Sequence, residues 1–148
     1  QQTEEYNGSS WTSGGNLGTA RYQLAGAGTQ TAGLAFGGAP GTITATEEYD
    51  GSSWTAGGNL NTGRRELAGC GTQTAGLAFG GDTGSNSAAT ELYNGTSWTA
   101  SAAMNTGRQL LAGAGIQTAG LAFGGSLSPK AQTEEFSFGN QTKTISSS

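Results

Sequence analysis

The chain has 148 residues, enough for one domain or part of one, with 28 glycines and only 33% hydrophobic residues. A net charge of −4 and a sequence pI of about 4.6 leave no basic surface to neutralise a phosphate backbone, so nucleic acid is not expected as a partner. The single cysteine rules out a disulfide framework, and no apolar run approaches the length of a membrane span.

Gln1 rather than Met opens the chain and no charged-then-apolar leader follows, so it reads as a processed product or as part of something longer. Thr3 begins TEEYNGSSWT, a unit that returns as TEEYDGSSWT from Thr46, as TELYNGTSWT from Thr90 and, worn, as TEEFSFGNQT from Thr133. A second unit alternates with it: LAGAGTQTAGLAFGG from Leu24, LAGCGTQTAGLAFGG from Leu67 and LAGAGIQTAGLAFGG from Leu111. Trp11, Trp54 and Trp98 mark a period of 43 to 44 residues, as do Arg21, Arg64 and Arg108. A fixed period of this length is the mark of a repeat architecture. The connectors Ala39 to Ala45, Asp82 to Ala89 and Ser126 to Gln132 are unrelated in sequence, which marks them as surface loops.

Glycine every two or three residues argues against helix. In TAGLAFGG, Ala75, Leu77 and Phe79 alternate with Gly76, Ala78 and Gly80, the period of a strand. LAGCG supplies a partner strand through a turn at Thr72 and Gln73. TEEY and SSWT flank Asn7-Gly8, Asp50-Gly51 or Asn94-Gly95, a strong hairpin signal. Each period therefore holds four short antiparallel strands, which suits a propeller blade. Small residues at Ala25 to Gly28, Ala68 to Gly71 and Ala112 to Gly115 then fit a crowded innermost strand, and the Trp and Tyr residues fill the widening gap between outer strands.

The order of motifs, Arg, small apolar strand, strand ending in Gly-Gly, variable loop, acidic strand ending in Tyr, then a Trp strand, resembles the kelch repeat. Gly37-Gly38, Gly80-Gly81, Gly124-Gly125, Tyr6, Tyr49, Tyr93 and the three Trp stand at kelch-like positions. That resemblance implies an all-β fold of kelch-like propeller blades. The wording TEEYNGSSWT, GGNLNTGR and LAGAGTQTAGLAFGG also resembles kelch-like arrays of marine bacteriophage tail and fibre proteins, which implies a virion or extracellular setting.

About three and a half blades are expected. An orphan outer hairpin spans residues 1–19, and blades follow over about 20–62, 63–106 and 107–148. Three blades do not close a ring, so upstream blades or other copies of the chain are the expected partners. The worn last unit and its Ser tail suit a drifted terminal repeat.

Chemistry is sparse. With no histidine the commonest general base and metal ligand are missing, and Cys70 stands where sister copies have Ala27 and Ala114. No cofactor, metal or catalytic residue is therefore expected. The copper site of the kelch-fold oxidases needs His and a Tyr-Cys pair, which this chain lacks. DGSSW at Asp50 is similar to a sialidase Asp-box but lacks a residue before the Gly, and it reads as a turn. No phosphate-loop motif occurs among the glycines.

The pairs Glu4-Glu5, Glu47-Glu48 and Glu134-Glu135 sit on strands, where neighbours point to opposite faces and cannot serve one substrate. Glu4, Glu47, Glu91 and Glu134 recur with Arg21, Arg64 and Arg108, so they read as ion pairs of the scaffold. Trp11, Trp54 and Trp98 read as packing, although a flat ring also suits a sugar. Function is expected where the period breaks: Tyr22, Arg65 and Gln109 after the periodic Arg, and Thr42, Asp82, Asn86 and Lys130 in the connectors. Taken with the resemblance, this suggests a noncatalytic binding module contacting a host-surface glycan or protein. The alternatives are a kelch-type protein-interaction scaffold and, further off, a propeller glycosidase.

Overall fold

A computed structural model describes residues 1–126, 132–137 and 139–145. Its regular structure is entirely β, with no helix among the described residues and hence none able to cross a membrane. An opening hairpin joins β1 (Glu4–Tyr6) to β2 (Trp11–Ser13). Three four-stranded antiparallel sheets follow, each made from four consecutive strands. The first holds β3 (Ala25–Thr29), β4 (Ala32–Phe36), β5 (Thr46–Tyr49) and β6 (Trp54–Ala56). The second holds β7 (Ala68–Thr72), β8 (Ala75–Phe79), β9 (Thr90–Tyr93) and β10 (Trp98–Ser101). The third holds β11 (Leu111–Ile116), β12 (Ala119–Gly124), β13 (Thr133–Ser137) and β14 (Asn140–Ile145).

The outer turns show why these short strands form. Asn7, Asp50 and Asn94 each turn Oδ1 onto the backbone N–H groups two and three residues on, closing the loop before Trp11, Trp54 or Trp98. The glycine that follows takes a positive φ of 99°, 93° or 89°, open to glycine at little steric cost. At Asp50 the Ser53 N–H, then the Ser52 hydroxyl and N–H, pull the carboxyl down to about 2. The structure thus places Asp50 in a turn.

Register repeats between sheets. Gly33, Leu34, Ala35 and Phe36 face Tyr49, Glu48, Glu47 and Thr46, and the same positions of the second and third sheets pair alike. The sheets stack through their first strands, β3 against β7 and β7 against β11. The Phe36 ring lies where a Cβ on Gly69 would come within 2.3 Å, and the Phe79 ring stands likewise 2.4 Å from a Cβ on Gly113. Leu34 covers Gly76 and Leu77 covers Gly120 in the same manner. Large side chains on one sheet therefore seat on glycines of the next. This is how a chain one-third hydrophobic builds two continuous cores, around Leu34, Phe36 and Tyr93 and around Leu77, Phe79 and Leu111.

The expected packing of the aromatic residues needs one correction. Trp98 is buried and donates its indole N–H to Thr46 Oγ1 at 2.9 Å, and half-buried Trp54 donates to Thr3 at the same distance. Trp11, by contrast, is 65% exposed and touches Tyr6 alone among the aromatic rings. Trp54 and Trp98 each pack toward the preceding sheet, and among the described residues no sheet lies against Trp11 in that way.

Candidate functional site

Antiparallel register sorts the chain to two ends. Ala25 lies opposite Phe36, Phe36 opposite Thr46 and Glu47 opposite Ala56, so the connectors and the Arg-containing crossings share one end. Thr29 opposite Ala32 and Tyr49 opposite Trp54 put the near-invariant hairpin turns at the other. The residues that drift between repeats are thereby gathered on one side of the molecule.

The periodic arginines anchor that side. Arg21, Arg64 and Arg108 are buried, and their Nη2 atoms bond Glu47, Glu91 and Glu134 at 3.1, 2.9 and 2.5 Å. Their Nη1 atoms donate to the carbonyls of Ala45, Ala89 and Gln132, where each connector ends, and those of Arg21 and Arg108 also reach Gly37 and Gly124, where it starts. Each fork therefore clamps the foot of a variable loop. Backbone N–H groups of Gly18, Asn61 and Asn105 occupy the second oxygen of each carboxylate. Burial lowers the Arg21 and Arg64 pKa values from the ordinary one, opposed by the facing glutamates. Glu4 holds the equivalent position in the opening hairpin but is exposed, with no arginine against it among the described residues.

The second glutamate of each pair does different work on the opposite face. Tyr49 donates its hydroxyl to Glu5, and Tyr93 to Glu48 at 2.5 Å, so the Glu47-Glu48 pair is divided between Arg21 and Tyr93. Burial, then the bond to Glu48, pushes the Tyr93 phenol up to about 12. This folded value lies above the unfolded value of about 10, so its stabilisation is complete below pH 10 and is lost as pH rises through about 12. Tyr93→Phe is expected to flatten the alkaline limb of the stability profile, measured by urea unfolding between pH 9 and about 12. An identical limb in the variant would show that Tyr93 does not control it.

At the drifting end, Tyr22 is 60% exposed, Thr42 and Asn86 are exposed, and Gln109 is half-buried. Arg65 and Asp82 meet in an ion pair at 2.5 Å, and Asp82 also forms backbone bridges with Arg65 and Asn86. Asp82 is buried, not loop-exposed, because it pairs there. Lys130 lies outside the described residues. Tyr22 bridges Ala39 through the same backbone geometry as Arg65 and Asp82, so unlike side chains are carried on one repeated support.

Gln23, Glu66 and Leu110 are additions that the repeat pattern did not single out. All three take left-handed φ values of 56° to 58°, rare for residues with a Cβ. The Glu66 N–H donates to the Gln23 carbonyl at 2.8 Å, the Leu110 N–H to the Glu66 carbonyl at 2.9 Å, and the Gln23 amide to the Glu66 carboxylate. They border a cleft of about 290 Å³ with Leu24, Leu67 and Leu111. Backbone strain held identically by three different side chains marks a support that fixes direction while leaving identity free.

Chemically this end offers the Tyr22 phenol, the carboxamides of Gln23, Asn86 and Gln109, the Glu66 carboxylate and the exposed Leu110, a set suited to hydrogen bonding and apolar contact. Among the described residues, no group of three or more Cys, Asp or Glu is placed to hold a metal ion. Cys70 is buried, and burial raises its thiol to about 11. It is expected to resist a thiol reagent at pH 8 until the chain unfolds. Labelling of the folded chain at the rate of a free thiol would contradict its placement. Neither a family model nor a curated protein sequence matches the chain.

Proposed function

We propose that the chain is a noncatalytic binding module of an extracellular assembly. In this reading its three sheets are blades of a kelch-like propeller, and the drifting end meets a host-surface glycan or protein. A phage tail or fibre is the setting suggested by the resemblance of its repeat units. One observation carries the reading: invariant residues are spent on the stack and on the Arg clamps, while residues that differ between repeats collect at one end on identical backbone supports. Binding proteins commonly place variable residues on loops held by a rigid frame. Weak contacts displayed in several copies gain about 10²–10⁴ in avidity without new chemistry.

The test incubates the chain with a panel of immobilised bacterial lipopolysaccharides and capsular polysaccharides and reads retention and new reducing ends separately. Retention without cleavage is the expected result. Reducing ends that vanish in Glu48→Gln would replace the reading by a glycosidase. Neither signal, with capture of a protein partner through Tyr22 and Arg65, would favour the protein-interaction scaffold.

A further inference from the structure

The outer turns carry one geometry with two chemistries. Asn7, Asp50 and Asn94 stand at the same place in their hairpins, each followed by glycine, and each turns Oδ1 onto two backbone N–H groups. At Asn94, in the middle of the three large sheets, these are the N–H groups of Thr96 and Ser97, both at 2.9 Å. Asn94 is exposed, and its own N–H closes the turn on the Ser97 carbonyl at 3.2 Å. The Gly95 N–H has no acceptor among the described residues. Lacking a Cβ, Gly95 also leaves its nitrogen unshielded.

An amide carbonyl held by two N–H donors is polarised, and the donors stand where negative charge grows when a nucleophile adds to its carbon. Here the nucleophile is the next nitrogen of the chain. We infer that Asn94 is a site of self-modification, at which the Gly95 nitrogen attacks Cγ while the Thr96 and Ser97 N–H groups hold the charge developing on Oδ1. The Gly95 amide gives its proton to solvent, the N–Cγ bond forms, and Nδ2 takes up a proton and leaves as ammonia. Water then opens the cyclic imide. Opening at the side-chain carbonyl leaves aspartate; opening at the main-chain carbonyl leaves isoaspartate, whose backbone is one carbon longer.

The sheet favours aspartate. Tyr93 lies opposite Trp98 across the turn, and a longer backbone would disturb that pairing together with the buried bond from Trp98 to Thr46. An aspartate already has its seat in the repeat: Asp50 takes the Ser52 and Ser53 N–H groups at 2.8 Å, with both serine hydroxyls also on its carboxylate. Those bonds hold the Asp50 carboxyl at about 2, so it is ionised at neutral pH, and a carboxylate resists the same attack. Like turns are therefore reactive or inert according to one atom. Asn7 has the reactive form, with Ser9 Oγ as a further donor to Oδ1 at 2.9 Å and Ser10 Oγ 3.2 Å from Nδ2. Asn61 differs, since it precedes Thr62 and gives its amide to Glu91 and the Trp98 carbonyl.

The turns lie at the end opposite the drifting residues, so this modification stands apart from the binding reading. Each conversion adds one negative charge to a chain that carries −4.

Incubation of the full chain in mildly alkaline buffer, followed by peptide mapping and mass spectrometry, tests the inference. A gain of roughly one dalton is expected at Asn94 and at Asn7, with Asn61 unchanged and no isoaspartate at Asp50. Asn94 should convert about tenfold or more faster than in a peptide of residues 90–99 under the same conditions, because the peptide lacks the fixed pair of donors. The share of aspartate over isoaspartate should also be higher in the chain than in the peptide. Asn94→Asp, which makes the expected product directly, should melt within a few degrees of the parent. Conversion no faster in the folded chain than in the peptide would overturn the inference, and so would an unchanged product ratio or an Asn94→Asp chain that melts far below the parent.

Discussion

Arg64→Ala is expected to destabilise the chain by roughly 3 to 5 kcal/mol, because it strands the Glu91 carboxylate in the interior. Arg64 is fully buried, Glu91 is 2% exposed, and the Ala89 carbonyl loses one of its donors in the same step, keeping the Gly80 N–H. At this chain length each kcal/mol moves the melting temperature by about 2 to 4 °C, so the shift is well within reach of calorimetry. The pair need not be a net source of stability, since desolvation offsets much of its attraction. Its physical contribution is geometric: one guanidinium fixes the carboxylate and the foot of the Asp82 to Ala89 connector together. Arg64→Ala with Glu91→Gln should therefore recover part of the loss, because a neutral amide costs less to bury than a carboxylate. A single variant that melted within a degree or so of the parent would contradict the buried clamp.

Gly69→Val is expected to cost roughly 1 to 3 kcal/mol, and more if the stack cannot shift. A Cβ at Gly69 would stand 2.3 Å from the tip of the Phe36 ring and 2.9 Å from the Leu77 carbonyl, so both ring and strand must move. Phe36 has no slack, being fully buried between the sheets and edge-on to Trp98 at 4.9 Å. Gly69→Val with Phe36→Leu should regain part of the loss by shortening the knob. No change in melting temperature for Gly69→Val would mean that Phe36 does not seat there.

The strands were legible because period two survives even in glycine-rich sequence: Leu77 and Phe79 go to one side and Gly76 and Ala78 to the other, as the alternation requires. The hairpins were legible through Asn-Gly and Asp-Gly, whose chemistry is local. What crowds the glycines was less visible. Sequence reasoning assigned the small residues to tight packing of the innermost strand, whereas the atoms nearest Gly69 and Gly113 are the rings of Phe36 and Phe79 from the preceding sheet. Such contacts span more than thirty residues and have no signature within one unit. Arg65 and Asp82 escaped as a pair for a similar reason, lying in segments whose sequences share nothing across repeats. Gln23, Glu66 and Leu110 were hidden because their common property is a backbone angle, and three unlike side chains do not announce it.

If frame and display are separate, residues 82–89 can be replaced by the sequence of residues 39–45, with Arg65→Tyr, without harm to the fold. The backbone bridge of Arg65 to Asp82 already has its equivalent in Tyr22 and Ala39, and the Arg64 clamp grips carbonyls that any connector supplies. Retention on the immobilised polysaccharide panel and the melting temperature, measured on the same preparation, decide the matter. The account predicts a melting temperature within a few degrees of the parent and a changed or abolished retention pattern. Unchanged retention, with the fold intact, would place binding elsewhere and contradict it.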